Sequence, residues 1–116
     1  MTQEWMIKTL TNLGFKQSDA EVYVFLSEMG PQEGKVIAEA LKLPKQQLYR
    51  SLKNLQLRGM VSASLRQSAR FSATPLEKVI DSLIEAKKEQ ALALQESKEK
   101  LLSNWHTKIL KASSDS

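Results

Sequence analysis

The sequence predicts a mainly α fold with one small β-hairpin, followed by a single long helix. Three observations carry this expectation. Apolar residues recur at three- and four-residue spacing over most of the chain, separated by Gly and Pro punctuation. Period-two alternation is confined to residues 60–73. From Thr74-Pro75-Leu76-Glu77 onward, helix-start signals open a helix that can continue to about Lys111.

In order along the chain, residues 3–13 place Met6, Ile7, Leu10 and Leu13 at helical spacing, and Gly14 stops the helix. Ser18 followed by Glu21 reads as a capping box, in which hydroxyl and carboxylate each satisfy an orphan backbone N–H. It opens a second helix to about Met29, with Val22, Leu26 and Met29 on one face and Gly30-Pro31 as its end. Residues 33–41 form a short third helix expected to bury Val36, Ile37, Ala40 and Leu41. Lys42-Leu43 make a tight turn, and Pro44 takes the first position of a fourth helix that Gly59 closes.

On that fourth helix Leu48, Leu52 and Leu55 fall within about 60° of one another. Gln46, Arg50 and Lys53 point the opposite way. Tyr49 lies on one shoulder, Gln47 and Asn54 on the other. MVSASL at 60–65 and ARFSA at 69–73 alternate as the arms of a hairpin, with Arg66 and Arg70 at or near its tip. Thr74 is the expected N-cap of the last helix, Pro75 its first residue and Glu77 the partner in a second capping box.

The last helix carries two apolar registers. One runs Leu76, Val79, Ile80, Leu83 and Ile84. The other runs Ala91, Leu94, Leu101 and Trp105, with Lys87, Lys98 and Lys108 in the same spacing. A lone helix of this length needs a partner. Residues 76–111 are therefore expected to form a homodimer seam through Ile80, Ile84, Ala91, Leu94, Leu101 and Trp105 that is partly interrupted or covered by residues 1–13. Trp5 is assigned to the same interface, and residues 112–116 to a disordered tail.

Charge divides unevenly. Residues 1–43 carry net −2, residues 44–75 net +6 and residues 76–116 net 0. No carboxylate occurs between Ala40 and Leu76. A solvated surface mixes signs, so this segregation points to a polyanionic partner. On the fourth helix only cations and neutral hydrogen-bonding groups face outward, without the Glu that ordinary i,i+4 support would supply.

Several function classes are disfavoured. There is no cysteine and only one histidine, so thiolate and histidine metal sites are not expected, and no cofactor is. No Gly-rich phosphate loop or Ser-His-Asp set occurs, which argues against an enzyme. The apolar runs are short and broken by charge, so no membrane span is expected, and a cytoplasmic location follows by default. His106, beside Trp105, reads as an exposed or interface residue. Nothing polar marks a small-molecule effector site.

Helix, helix, short helix, basic amphipathic helix and hairpin is the order of a winged helix-turn-helix. The second helix of such a motif enters the major groove. Here that is residues 44–58, with the wing at 60–74. Residues 1–75 then form the DNA-binding domain and residues 76–111 the dimerisation helix.

LTNLGF at 10–15, DAEVYVFL at 19–26, Gly30-Pro31, IAEALKLPKQQLYRSLKNLQLRGMV at 37–61 and RFSATPLEKV at 70–79 together resemble the DNA-binding domain of the TrmB family of transcriptional regulators. The resemblance covers about residues 8–80. It implies DNA binding and dimerisation through the C-terminal helix. Larger members carry a sugar-binding effector domain, and this sequence ends after one long helix, so sugar sensing is not implied.

Candidate roles follow from chemistry. Gln46, Gln47 and Arg50 occupy the first half of the recognition helix. Arg can bind guanine and Gln adenine bidentately. Lys45, Tyr49 and Lys53 suit phosphates or mixed contacts, and Tyr49 suits equally a core brace against the wing. Arg66 and Arg70 suit the backbone or the minor groove. Two other readings stay open: a winged helix used as a protein-interaction module, and an architectural protein that binds DNA without sequence preference.

Overall fold

A computed structural model describes residues 2–65 and 69–114. The elements are α1 (Gln3–Asn12), α2 (Gln17–Met29), β1 (Gln32–Glu33), α3 (Gly34–Leu41), α4 (Lys45–Leu57), β2 (Val61–Ser64), β3 (Arg70–Ala73) and α5 (Leu76–Ser114). The architecture is a winged helix: helices packed with a small antiparallel sheet, followed by a long C-terminal helix.

The leucine face of α4 sits where its periodicity puts it. Leu48, Leu52 and Leu55 are fully buried, against α2 and α3. Val22, Leu26 and Ile37 complete the centre, and Phe71 and Val79 close it from β3 and the first turn of α5. α1 and α4 end alike. Gly14 (φ +106°) and Gly59 (φ +71°) take the left-handed region that a side chain would disfavour. The following amides, Phe15 and Met60, reach back to the carbonyls of Leu10 and Leu55 at 3.1 and 2.9 Å. Thr2 caps α1 by accepting from the Trp5 amide at 3.2 Å.

Several local expectations are corrected. The Ser18–Glu21 capping box does not form. α2 starts at Gln17 without a side-chain cap, because the Ser18 oxygen accepts from the Ser51 hydroxyl and Glu21 accepts from Gln17. Of the four residues expected in the core from α3, only Ile37 is fully buried and Leu41 is half-buried. Val36 and Ala40 face solvent, on the side of the helix away from Gly34 and Ile37. Leu13 and Met29 are likewise exposed.

Pro44 precedes α4 as its N-cap, with its carbonyl accepting from Leu48, so the helix begins one residue later than expected. Thr74 is not the cap of α5. Its hydroxyl donates to the Gly59 carbonyl at 2.7 Å, and Pro75 instead supplies the carbonyl that Lys78 and Val79 use. α5 continues through Ser114, so residues 112–114 are helical rather than tail.

The wing has a third strand that the sequence does not announce. The sheet order is β1-β3-β2, both pairings antiparallel, with Gln32 opposite Phe71 and Glu33 opposite Arg70. Tyr23 locks the base of this sheet. Its phenol donates to the Thr74 carbonyl at 2.6 Å, and burial pushes its pKa up from 10.0.

α5 is one unbroken helix of 39 residues, about 58 Å long at 1.5 Å per residue. The two apolar registers therefore merge. Ile80, Ile84, Ala91, Leu94, Leu102, Trp105 and Ile109 all lie within about 80° of each other on a straight helix. Leu101 sits at the edge of that stripe, and Lys87 and Lys98 lie inside it. From residue 84 to residue 112 every side chain is exposed.

Candidate nucleic-acid interface

The outward face of α4 exists because its inward face is committed. Burial of Leu48, Leu52 and Leu55 turns Lys45, Gln46, Gln47, Arg50 and Lys53 to solvent, and all five are exposed. Two polar clasps fix how α4 is rotated on α2. The Asn54 amide donates to Asp19 Oδ2 at 2.6 Å, and the Ser51 hydroxyl donates to Ser18 Oγ at 3.0 Å. Asp19 and Ser51 are nearly inaccessible to solvent. A buried carboxylate needs such a donor, since an unsatisfied one costs several kcal/mol. Among the described residues no buried side-chain N or O lacks a partner.

Tyr49 is half-exposed, and its ring lies against α3 rather than the wing. A Cβ added at Gly34 would stand 2.9 Å from the Tyr49 oxygen, so a larger residue there would have to shift the tyrosine ring. The Arg58 guanidinium lies 5.2 Å from the centre of the Phe15 ring, a cation–π contact. Arg66 lies outside the described residues. Arg70 is exposed, but it sits in the strand ladder rather than at the hairpin tip.

An open groove of about 490 Å³ runs along α4, lined by Gln46, Gln47, Arg50 and Lys53 on one side and by Lys16, Ser18 and Asp19 at the start of α2 on the other. The fold thus changes the charge picture in two places. The segment that is free of acid in sequence is not free of acid in space, because Asp19 reaches the groove and Glu33 stands opposite Arg70. It also adds a cation, Lys16, that lies in the acidic third of the sequence.

Such a face, with cations and amide side chains on a rigidly held helix beside a small wing, can bind phosphates and read base edges. Residues 10–77 match the family described as "Sugar-specific transcriptional regulator TrmB", over more than half of the chain. The chain belongs to the TrmB family. It is therefore a winged-helix member of a family of DNA-binding transcriptional regulators, not of an enzyme family.

Solved structures agree on the fold. TrmBL2, described as an archaeal chromatin protein with a novel mode of DNA binding, superposes with a TM-score of 0.70 at 24% identity, covering 89% of this chain and 42% of TrmBL2. ST1889 of Sulfolobus tokodaii gives 0.65 at 25% identity, covering 80% of this chain and 98% of that protein. YrhO of Bacillus subtilis, an uncharacterized protein, is 27% identical over 78 residues, 67% of this chain and 28% of YrhO. This TrmB-family chain thus spans less than a third of YrhO and less than half of TrmBL2. Among the described residues no helix is long and apolar enough to cross a membrane.

Proposed function

We propose that this TrmB-family protein is a dimeric, sequence-specific regulator that places α4 in the major groove of double-stranded DNA. The observation that carries the reading is the outward face of α4, where Lys45, Gln46, Gln47, Arg50 and Lys53 stand exposed without a carboxylate among them. A carboxylate there would repel phosphate. Gln46, Gln47 and Arg50 read base edges. Lys45 and Lys53 hold phosphates. Tyr49 braces α3 and touches the backbone at most through its edge. The wing, with Arg66 and Arg70, meets the backbone or the adjacent minor groove.

Two chains pair through the apolar stripe of α5, which adds Leu102 and Ile109 to Ile80, Ile84, Ala91, Leu94, Leu101 and Trp105. Trp5, exposed on α1, joins the interface. Lys87 and Lys98 within the stripe weaken it locally, as charged groups do in a coiled-coil seam. Two recognition helices then reach successive major-groove faces about 34–36 Å apart, which calls for a pseudo-palindromic site.

The test is a gel shift of wild type against Arg50→Ala on the promoter of its own gene, with random DNA as competitor. Removing a bidentate pair should cost about 1–3 kcal/mol of discrimination. Equal binding by both proteins removes α4 as the reading element. The likeness to an archaeal chromatin protein favours a second reading, DNA binding without sequence preference. Equal affinity for promoter and random duplex would select it.

A further inference from the structure

The sequence places the DNA-facing charge between residues 44 and 75. The groove beside α4 extends that face onto a different helix. Lys16 immediately precedes α2, is exposed, and lines the same groove as Gln46, Arg50 and Lys53. The carboxylate that also lines the groove, Asp19, is buried and takes the Asn54 amide at 2.6 Å, so its Oδ2 is already engaged within the fold. The lining therefore offers three cations, Lys16, Arg50 and Lys53, against one carboxylate already held by the fold.

A channel walled by cations from two helices has the form expected of a track for a polyanionic strand. A side chain reaching it from outside the recognition helix can neutralise phosphate without touching a base. We infer that Lys16 is a phosphate-contacting residue, so that one DNA backbone strand runs along the groove between the start of α2 and the outward face of α4. This rests on the DNA-binding reading above. It adds that the footprint extends beyond α4 and the wing to the opening of α2, and that Lys16 supplies affinity rather than sequence choice.

The test uses the full chain and two probes, a random-sequence DNA duplex and the promoter of its own gene, titrated over a range of salt. Lys16→Ala should weaken binding to both probes by the same factor. It should also make the slope of log affinity against log salt shallower by about 0.9 for each phosphate no longer neutralised, or about 1.8 for a dimer using both copies. Lys16→Arg should keep the wild-type slope. Lys8→Ala, an exposed lysine on α1 outside the groove, should change neither affinity nor slope.

An unchanged slope in Lys16→Ala, while Arg50→Ala loses promoter preference, overturns the inference and leaves the recognition-helix reading standing. A weaker affinity with an unchanged slope also overturns it, because that pattern is a folding effect rather than the removal of a phosphate partner. A wild-type affinity that does not respond to salt overturns both.

Discussion

Up to Ile80 the chain buries its own apolar side chains, and from Asp81 onward it buries almost none. The first unit has Leu26, Ile37, Leu48, Leu52 and Leu55 fully enclosed; in the second, up to residue 112, only Leu83 is even half-covered. The same alphabet of Leu, Ile and Val serves both. In the first unit four helices and a sheet supply each other with partners. In the second a single helix carries an apolar stripe for which one copy of that segment has no counterpart. A helix polar on one side and apolar on the other gains most of its stability from what packs on it. Stability then lies with residues 2–80, and the proposed pairing falls to the rest of α5.

The sharpest way to break this comparison is to remove residues 81–116. The shortened protein should still unfold cooperatively in a thermal melt. Its affinity for a two-half-site duplex should drop by about 10²–10⁴, the loss expected when two linked binding events become separate. A truncated chain with no cooperative melt would put α5 into the core.

Next in size is a pair of substitutions. Leu52→Ala should destabilise by about 2–5 kcal/mol in urea at any protein concentration. Trp105→Ala should shift the midpoint only in a concentration-dependent way, because stability gained from association follows mass action. Equal, concentration-independent effects would erase the distinction between the two regions.

A smaller effect probes the clasp beneath α4. Asn54→Ala leaves the buried Asp19 carboxylate without its donor and should cost about 1–3 kcal/mol. Asp19→Ala in the same background should add less than it does alone, a coupling that a double-mutant cycle in urea reads directly. Full additivity would mean that the 2.6 Å hydrogen bond holds nothing.

The smallest effect lies at the base of the wing. Tyr23→Phe removes the donor to the Thr74 carbonyl and should cost about 1 kcal/mol. The buried phenol keeps its proton beyond its ordinary 10.0. Its contribution is therefore complete below that pH and fades as pH rises through the folded-state value. Alkaline melts of wild type should show that decline, and Tyr23→Phe should lack it.

Much of the fold is legible in the sequence where a period exists. The leucine face of α4 and the hairpin arms follow from spacing alone, and both stand within a residue of where spacing puts them. The two missed caps share a cause: a side chain takes a tertiary partner instead of a local one. Ser18 carries a capping pattern, yet its oxygen serves Ser51 on another helix. Thr74 is placed to cap α5, yet its hydroxyl serves Gly59. β1, at two residues, is too short to show any alternation. Nothing in the sequence marks Lys16, because charge counted along the chain cannot see that α2 begins beside α4. Leu102 and Ile109 fall outside a two-register reading although helical spacing puts them on the same face as Ile84 and Ala91.

The pairing of Glu33 with Arg70 has a mechanical consequence. β1 ends at the residue that immediately precedes α3, so the hydrogen-bonded ladder of the wing is fastened to the first helix of the helix-turn-helix. A displacement of β1 would reach the start of α3, where Gly34 faces the Tyr49 side chain of α4. The wing, α3 and α4 thus meet around one glycine, with a strand pairing on one side and a side-chain contact on the other.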